Sequence, residues 1–95
     1  MTLARVKGTV VSTQRADNIP GARYLLVEEC DQHGSGTAEH LVAIDMVSAG
    51  PGQLVLLAQG SSCRWTRVTD DKPIEALIMG IVDQIDEQGK VVYEE

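Results

Sequence analysis

Apolar and polar residues alternate along Leu3–Thr13 (LARVKGTVVST). Ala4, Val6, Gly8 and Val10 fall on one face, and Arg5, Lys7 and Thr9 on the other, which predicts a half-buried strand. Gly8, in mid-strand, marks a bend or bulge of the kind that curls a strand round a barrel corner. Ala22–Cys30 (ARYLLVEEC) is a second strand, with Leu25 and Val27 on one face and Tyr24, Leu26, Glu28 and Cys30 on the other. The polar stretches Gln14–Gly21 and Asp31–Glu39 predict loops. His40–Met46 and Gln53–Gln59 are the third and fourth strands, joined by the turn Ser48-Ala49-Gly50-Pro51-Gly52. Strands around a Gly/Pro turn predict a hairpin or a tight barrel corner.

Beyond Gln59 the pattern changes. Ser61 or Ser62 can cap a short helical turn over Cys63–Arg67. Asp70 or Asp71 before Pro73 is a second cap signal, predicting a helical turn to about Ala76 with a strand Leu77–Val82 after it. A single helix running across Gly80 is the alternative for this segment. Asp83–Glu94 (DQIDEQGKVVYE) predicts a hairpin with Glu87-Gln88-Gly89 at its tip. Five short strands with glycine corners predict a mainly β fold: a small five-stranded OB-like barrel with one or two short helical turns and a C-terminal β-hairpin, with a sandwich or an open meander as the alternatives.

Composition adds constraints. Ninety-five residues make one domain spanning residues 1–95, with a modest core. With no Phe, one Trp and two Tyr, that core must be aliphatic. Such small domains gain stability by burying faces against copies of themselves, which predicts a homo-oligomer. The net charge of −6 comes wholly from residues 70–95, where eight acids face Lys72 and Lys90. An acidic chain is a poor partner for a phosphate backbone. Two cysteines make no disulfide framework, and the opening residues carry no long apolar segment of a signal peptide. No run approaches the roughly 18 apolar residues of a membrane helix. These features predict a soluble, cytoplasmic protein without a membrane partner.

Candidate chemistry is sparse. Cys30, His33, His40 and Cys63 are all the Cys and His of the chain; Cys30 and His33 resemble half of a zinc site whose second half is absent. Ser61 or Ser62 with His40 and Asp45 supplies the residue types of a triad without a nucleophile elbow. Gly50-Pro51-Gly52 lacks the Lys-Ser/Thr ending of a P-loop. For a nucleic-acid-binding OB module, Arg5, Lys7, Arg23, Arg64 and Arg67 with Tyr24 and Trp65 are the candidate groove.

Three ordered blocks resemble one family. LARVKGTVVST is similar to its first strand. LVAIDMVSAGPGQLVLLAQGSSCR is similar to its central signature: a strand ending in Asp, a glycine-rich turn, an apolar strand, then Gly-Ser-Ser-x-Arg. TDDKPIEALIMGIVD is similar to its third block. The family is EutN/CcmL, the pentameric vertex proteins of bacterial microcompartment shells. Ser48 stands where glycine is usual, Gln53 where glutamate is common and Cys63 where alanine is common. The resemblance implies a structural protein with no enzymatic role, cofactor or metal. It further implies a homopentamer that closes shell vertices among hexagonal shell proteins in the cytoplasm. On that basis Ala49, Gly50, Pro51 and Gly52 are expected at the subunit interface or axis, and Asp45 and Arg64 as bracing polar contacts.

Overall fold

The computed structural model describes residues 1–12, 23–59 and 76–95. The described strands are β1 (Thr2–Val10), β2 (Arg23–Cys30), β3 (Gly36–Asp45), β4 (Leu54–Gln59), β5 (Ala76–Ile81), β6 (Gln84–Glu87) and β7 (Lys90–Glu94). Five close a barrel in the order β1-β2-β3-β5-β4, and β6 and β7 form a separate two-stranded sheet. β1 runs antiparallel to both β2 and β4, while β3 and β5 are parallel.

The period of two in the sequence explains the interior. Ala4 and Val6, Leu25 and Val27, Ala43, Val55 and Leu57, and Ala76 and Ile78 meet in one cluster. Leu25, Leu57 and Ile78 are the largest of these side chains, and Ala and Val residues fill the space between them. The β1–β2 register shifts between Val6 and Gly8, so Lys7 is the bulged residue beside the mid-strand glycine.

The structure selects among the sequence expectations and corrects others. β3 and β4 are not paired: β5 lies between them, so the segment joining them is a barrel corner and not a hairpin turn. Ala76 already belongs to β5, and residues 76–81 are strand across Gly80, which removes the single-helix alternative there. Neighbours on both sides supply backbone partners that outweigh the helical spacing of the apolar residues. The helical turn over Cys63–Arg67, and the remainder of the one leading to Ala76, lie outside the described residues.

β3 also begins earlier than its hydrophobic pattern suggests, taking in 36–39 of the expected loop. Pairing with β2 carries this polar stretch: Cys30 faces Gly36, and the Thr37 hydroxyl donates to the Glu29 carbonyl at 3.1 Å. At the same irregularity Ala38 takes a φ of 73°, and its N–H donates to the Glu28 carboxylate at 3.0 Å. Left-handed backbone costs alanine about 1–2 kcal/mol. Ala38→Gly is therefore expected to raise stability by about 0.5–1 kcal/mol after the extra chain entropy of glycine, read as a higher urea midpoint with an unchanged slope.

The C-terminal hairpin follows its prediction closely. Gln88 and Gly89 both have positive φ, 55° and 82°, the signature of a type I′ turn. The Gly89 N–H donates to the Asp86 carboxylate at 2.8 Å.

Candidate functional site

The corner between β3 and β4 is built on one buried carboxylate. Asp45, the last residue of β3, is 4% exposed. Its Oδ1 accepts the Val47 N–H at 3.0 Å, and Oδ2 accepts the Ala49 N–H at 3.0 Å. The Arg23 guanidinium lies 3.6 Å from Oδ2. The carboxylate thus turns the chain by replacing the strand partners that residues 47 and 49 lose on leaving β3. Ala49 then drops into the barrel core at 1% exposure.

The next four residues form a tight turn. The Gln53 N–H donates to the Gly50 carbonyl at 3.2 Å, with Pro51 and Gly52 in the middle. Gly52 has a φ of 81°, which a type II turn demands of its third residue, after proline at the second. Gln53 Oε1 accepts the Gly50 N–H at 2.6 Å. β1 locks the turn from the side: the Val6 N–H donates to the Gln53 carbonyl and the Gly52 N–H to the Val6 carbonyl. Ser48 also takes the left-handed region, with a φ of 61°.

Arg5 joins this corner to the rest of the molecule. One guanidinium nitrogen donates to the Gly52 carbonyl at 2.8 Å and another to the Gly34 carbonyl at 2.9 Å. The same group lies 5.7 Å from the centre of the Tyr93 ring on β7, within cation–π range. The loop 31–35 that presents Gly34 is organised by Asp31. Its Oδ1 accepts the N–H groups of His33 and Ser35. The bonds from Ser35 and His33 hold the Asp31 carboxyl below the usual aspartate value. A Gln32–Glu87 hydrogen bond at 3.4 Å is the other described side-chain tie between this loop and the hairpin. Arg5→Met is expected to leave the barrel intact while amide exchange in 84–94 speeds up by roughly tenfold, the equivalent of about 1.4 kcal/mol of local opening.

A model of the family "Ethanolamine utilisation protein EutN/carboxysome" matches residues 1–83. The carboxysome shell vertex protein CcmL of Synechococcus elongatus is 36% identical over 94 residues, covering 99% of this chain and 95% of that one. The chain belongs to the EutN/CcmL family. The bacterial microcompartment shell vertex protein EutN of Salmonella typhimurium is 39% identical, covering 98% of this chain and 94% of that protein. Among solved structures, a CcmL carboxysome subunit superposes with a TM-score of 0.91 at 39% identity, over 100% of this chain and 99% of that one. GrpN of Rhodospirillum rubrum, described as a pentameric microcompartment shell protein, gives 0.81 at 33% identity, over 92% and 99%.

The other candidate chemistry gains no support from the described residues. Among the described residues no three His, Cys, Asp or Glu side chains gather for a metal, and Cys63 lies outside them. Burial pushes the Cys30 thiol up, opposite to an activated nucleophile. His40 is exposed while Asp45 is buried and committed to the corner, and Ser61 and Ser62 are not among the described residues. The basic groove fares no better. Arg5 is held by carbonyls, Lys7 pairs with Glu28 at 3.6 Å, and Arg23 faces Asp45; Arg64, Trp65 and Arg67 lie outside the described residues. No helix among the described residues is long and apolar enough to cross a membrane.

Of the expected interface residues, Pro51 and Gly52 are exposed, Gly50 is half-buried and Ala49 is in the core. Sequence reasoning saw Arg5 only as one of several bases. Its alternation onto the outer face of β1 was legible, but the carbonyls it joins come from positions 34 and 52, which no local pattern connects.

Proposed function

We propose that this chain is a structural subunit of a bacterial microcompartment shell, that five copies close a ring at a vertex, and that hexagonal shell proteins surround it. The carrying observation is similarity over nearly the whole chain to shell vertex proteins of both carboxysomal and other microcompartment types. The pentameric GrpN relative supports self-association into a ring. In this reading the protein works through interface geometry in the cytoplasmic shell and has no catalytic role. Five-fold units supply the curvature that a flat sheet of six-fold tiles lacks, and a rotating head-to-tail contact closes on itself.

The Gly50-Pro51-Gly52 turn is the part of the Asp45 corner offered to a neighbour or to the ring axis. Ala49 supports it from beneath, and Asp45 braces it. Arg64 remains a candidate for a second brace. Native mass spectrometry of the purified protein tests the reading: a species of about 52 kDa, five times the 10.3 kDa chain, is expected. A chain that stays monomeric at micromolar concentration overturns it.

A further inference from the structure

Arg5 also lines an open cleft. Where the loop 31–35, the turn at Gly52 and the end of β7 come together they leave a cavity of about 470 Å³. Its walls include Arg5, His33, Val92 and Tyr93, together with the exposed Glu94 and Glu95. The guanidinium in this cleft is fixed from three sides. Its terminal nitrogens are tied to the Gly52 and Gly34 carbonyls, and the Tyr93 ring lies against it. Gly34 permits that approach, because a side chain there would meet the guanidinium at 2.7 Å. Among the described residues no carboxylate neutralises the Arg5 charge: the ion pairs there are Lys7–Glu28 and Arg23–Asp45. Of the five N–H groups that an arginine carries, two go to the carbonyls and one is directed at the Cys30 thiol, which leaves two.

We propose that this cleft binds a small monocarboxylate, with its carboxylate on Arg5 and its hydrocarbon part against Val92 and Tyr93. Three observations set that class. A guanidinium held rigid, with N–H groups to spare and no acidic partner, matches a carboxylate in both charge and plane. Val92 and Tyr93 supply an apolar wall beside it, and the volume is that of a small-molecule site. Glu94 and Glu95 put negative charge on the same cleft. They repel a dianion such as phosphate more strongly than a single charge seated on Arg5. The inference uses residues of one subunit only and stands apart from the ring reading.

The test is a titration of the full-length, isotope-labelled protein with sodium butyrate at constant ionic strength, followed by amide chemical shifts. Saturating shifts at Gly34, Gly52 and Tyr93 are expected, with a dissociation constant of about 1–10 mM. Sodium phosphate is expected to bind at least about tenfold more weakly. Arg5→Lys keeps the charge and loses the planar fork, and is expected to weaken butyrate binding about tenfold. The double variant Glu94→Gln/Glu95→Gln is expected to bind butyrate about two- to fivefold more tightly and to narrow the gap to phosphate.

Shifts that stay linear to about 100 mM butyrate, far above the expected constant, overturn the proposal. Phosphate binding to the wild-type protein as tightly as butyrate does the same. Should Arg5→Lys fail to fold, the double variant decides, because both of its substitutions fall on exposed side chains. A purely structural role for the cleft predicts no gain in butyrate affinity there, and an unchanged or lowered affinity overturns the site.

Discussion

Asp45→Ala is expected to lower stability by about 3 kcal/mol, the largest loss available from a single polar side chain in the described structure. The substitution strands the N–H groups of Val47 and Ala49, and Ala49 is only 1% exposed, so solvent has little access to replace the lost acceptor. An unpaired buried donor costs about 1–3 kcal/mol. Loss of the facing Arg23 adds little, because that guanidinium is half-exposed and solvent already screens it. At the scale of a 95-residue domain, the loss corresponds to a melting temperature lower by about 12–24 °C. Asp45→Asn separates the components. It keeps one acceptor oxygen and presents an amide N–H to a backbone donor, so an intermediate loss of about 1–2 kcal/mol is expected. Scanning calorimetry at one fixed protein concentration is the appropriate measurement, since assembly makes the midpoint concentration-dependent. An Asp45→Ala variant within about 0.5 kcal/mol of wild type, the usual size of a surface effect, would show that the corner is held by other groups.

Leu57→Ala is expected to cost about 3–4 kcal/mol. Leu57 sits on β4, which closes the barrel between β1 and β5, and it is wholly buried in the cluster that holds Leu25, Ile78 and several Ala and Val side chains. These neighbours are fixed on paired strands and have little freedom to move into the space left behind. Because a domain of this size has about 5–15 kcal/mol in total, the variant is expected to populate unfolded chain measurably at 37 °C unless assembly rescues it. Urea titration of wild type and variant, below the concentration at which copies associate, gives the difference directly. A loss under about 1 kcal/mol would mean that the barrel collapses around the gap.

Much of this architecture was legible in the residues. The alternation of β1 and β2 groups Ala4 with Val6 and Leu25 with Val27, the pairs that line the interior, and Gln88-Gly89 announces the hairpin, because both signals are local; the bulge at Lys7 then exchanges the faces of β1, so Gly8 and Val10 lie opposite Leu26 and Tyr24 and not with Ala4 and Val6. What escaped local reading depends on partners far along the chain. β3 and β4 flank a turn that looks like a hairpin, yet the parallel placement of β5 between them is a matter of barrel closure. The polar start of β3 has no hydrophobic period and is strand only because β2 lies beside it. In the candidate site, the Gly/Pro turn is visible as a turn and Asp45 is expected as a bracing contact, but the parts played by Gln53 and Arg5 are not legible. Ala49 shows the reverse error: in sequence it belongs to the surface turn, whereas in space its side chain is part of the core.

Arg5 gives the molecule a mechanical property. The hairpin, the loop around Gly34 and the turn at Gly52 all meet at its single guanidinium. A displacement of the hairpin is therefore passed through one planar group to the loop around Gly34 and the turn at Gly52 at once, so that three segments far apart in the chain are geared together.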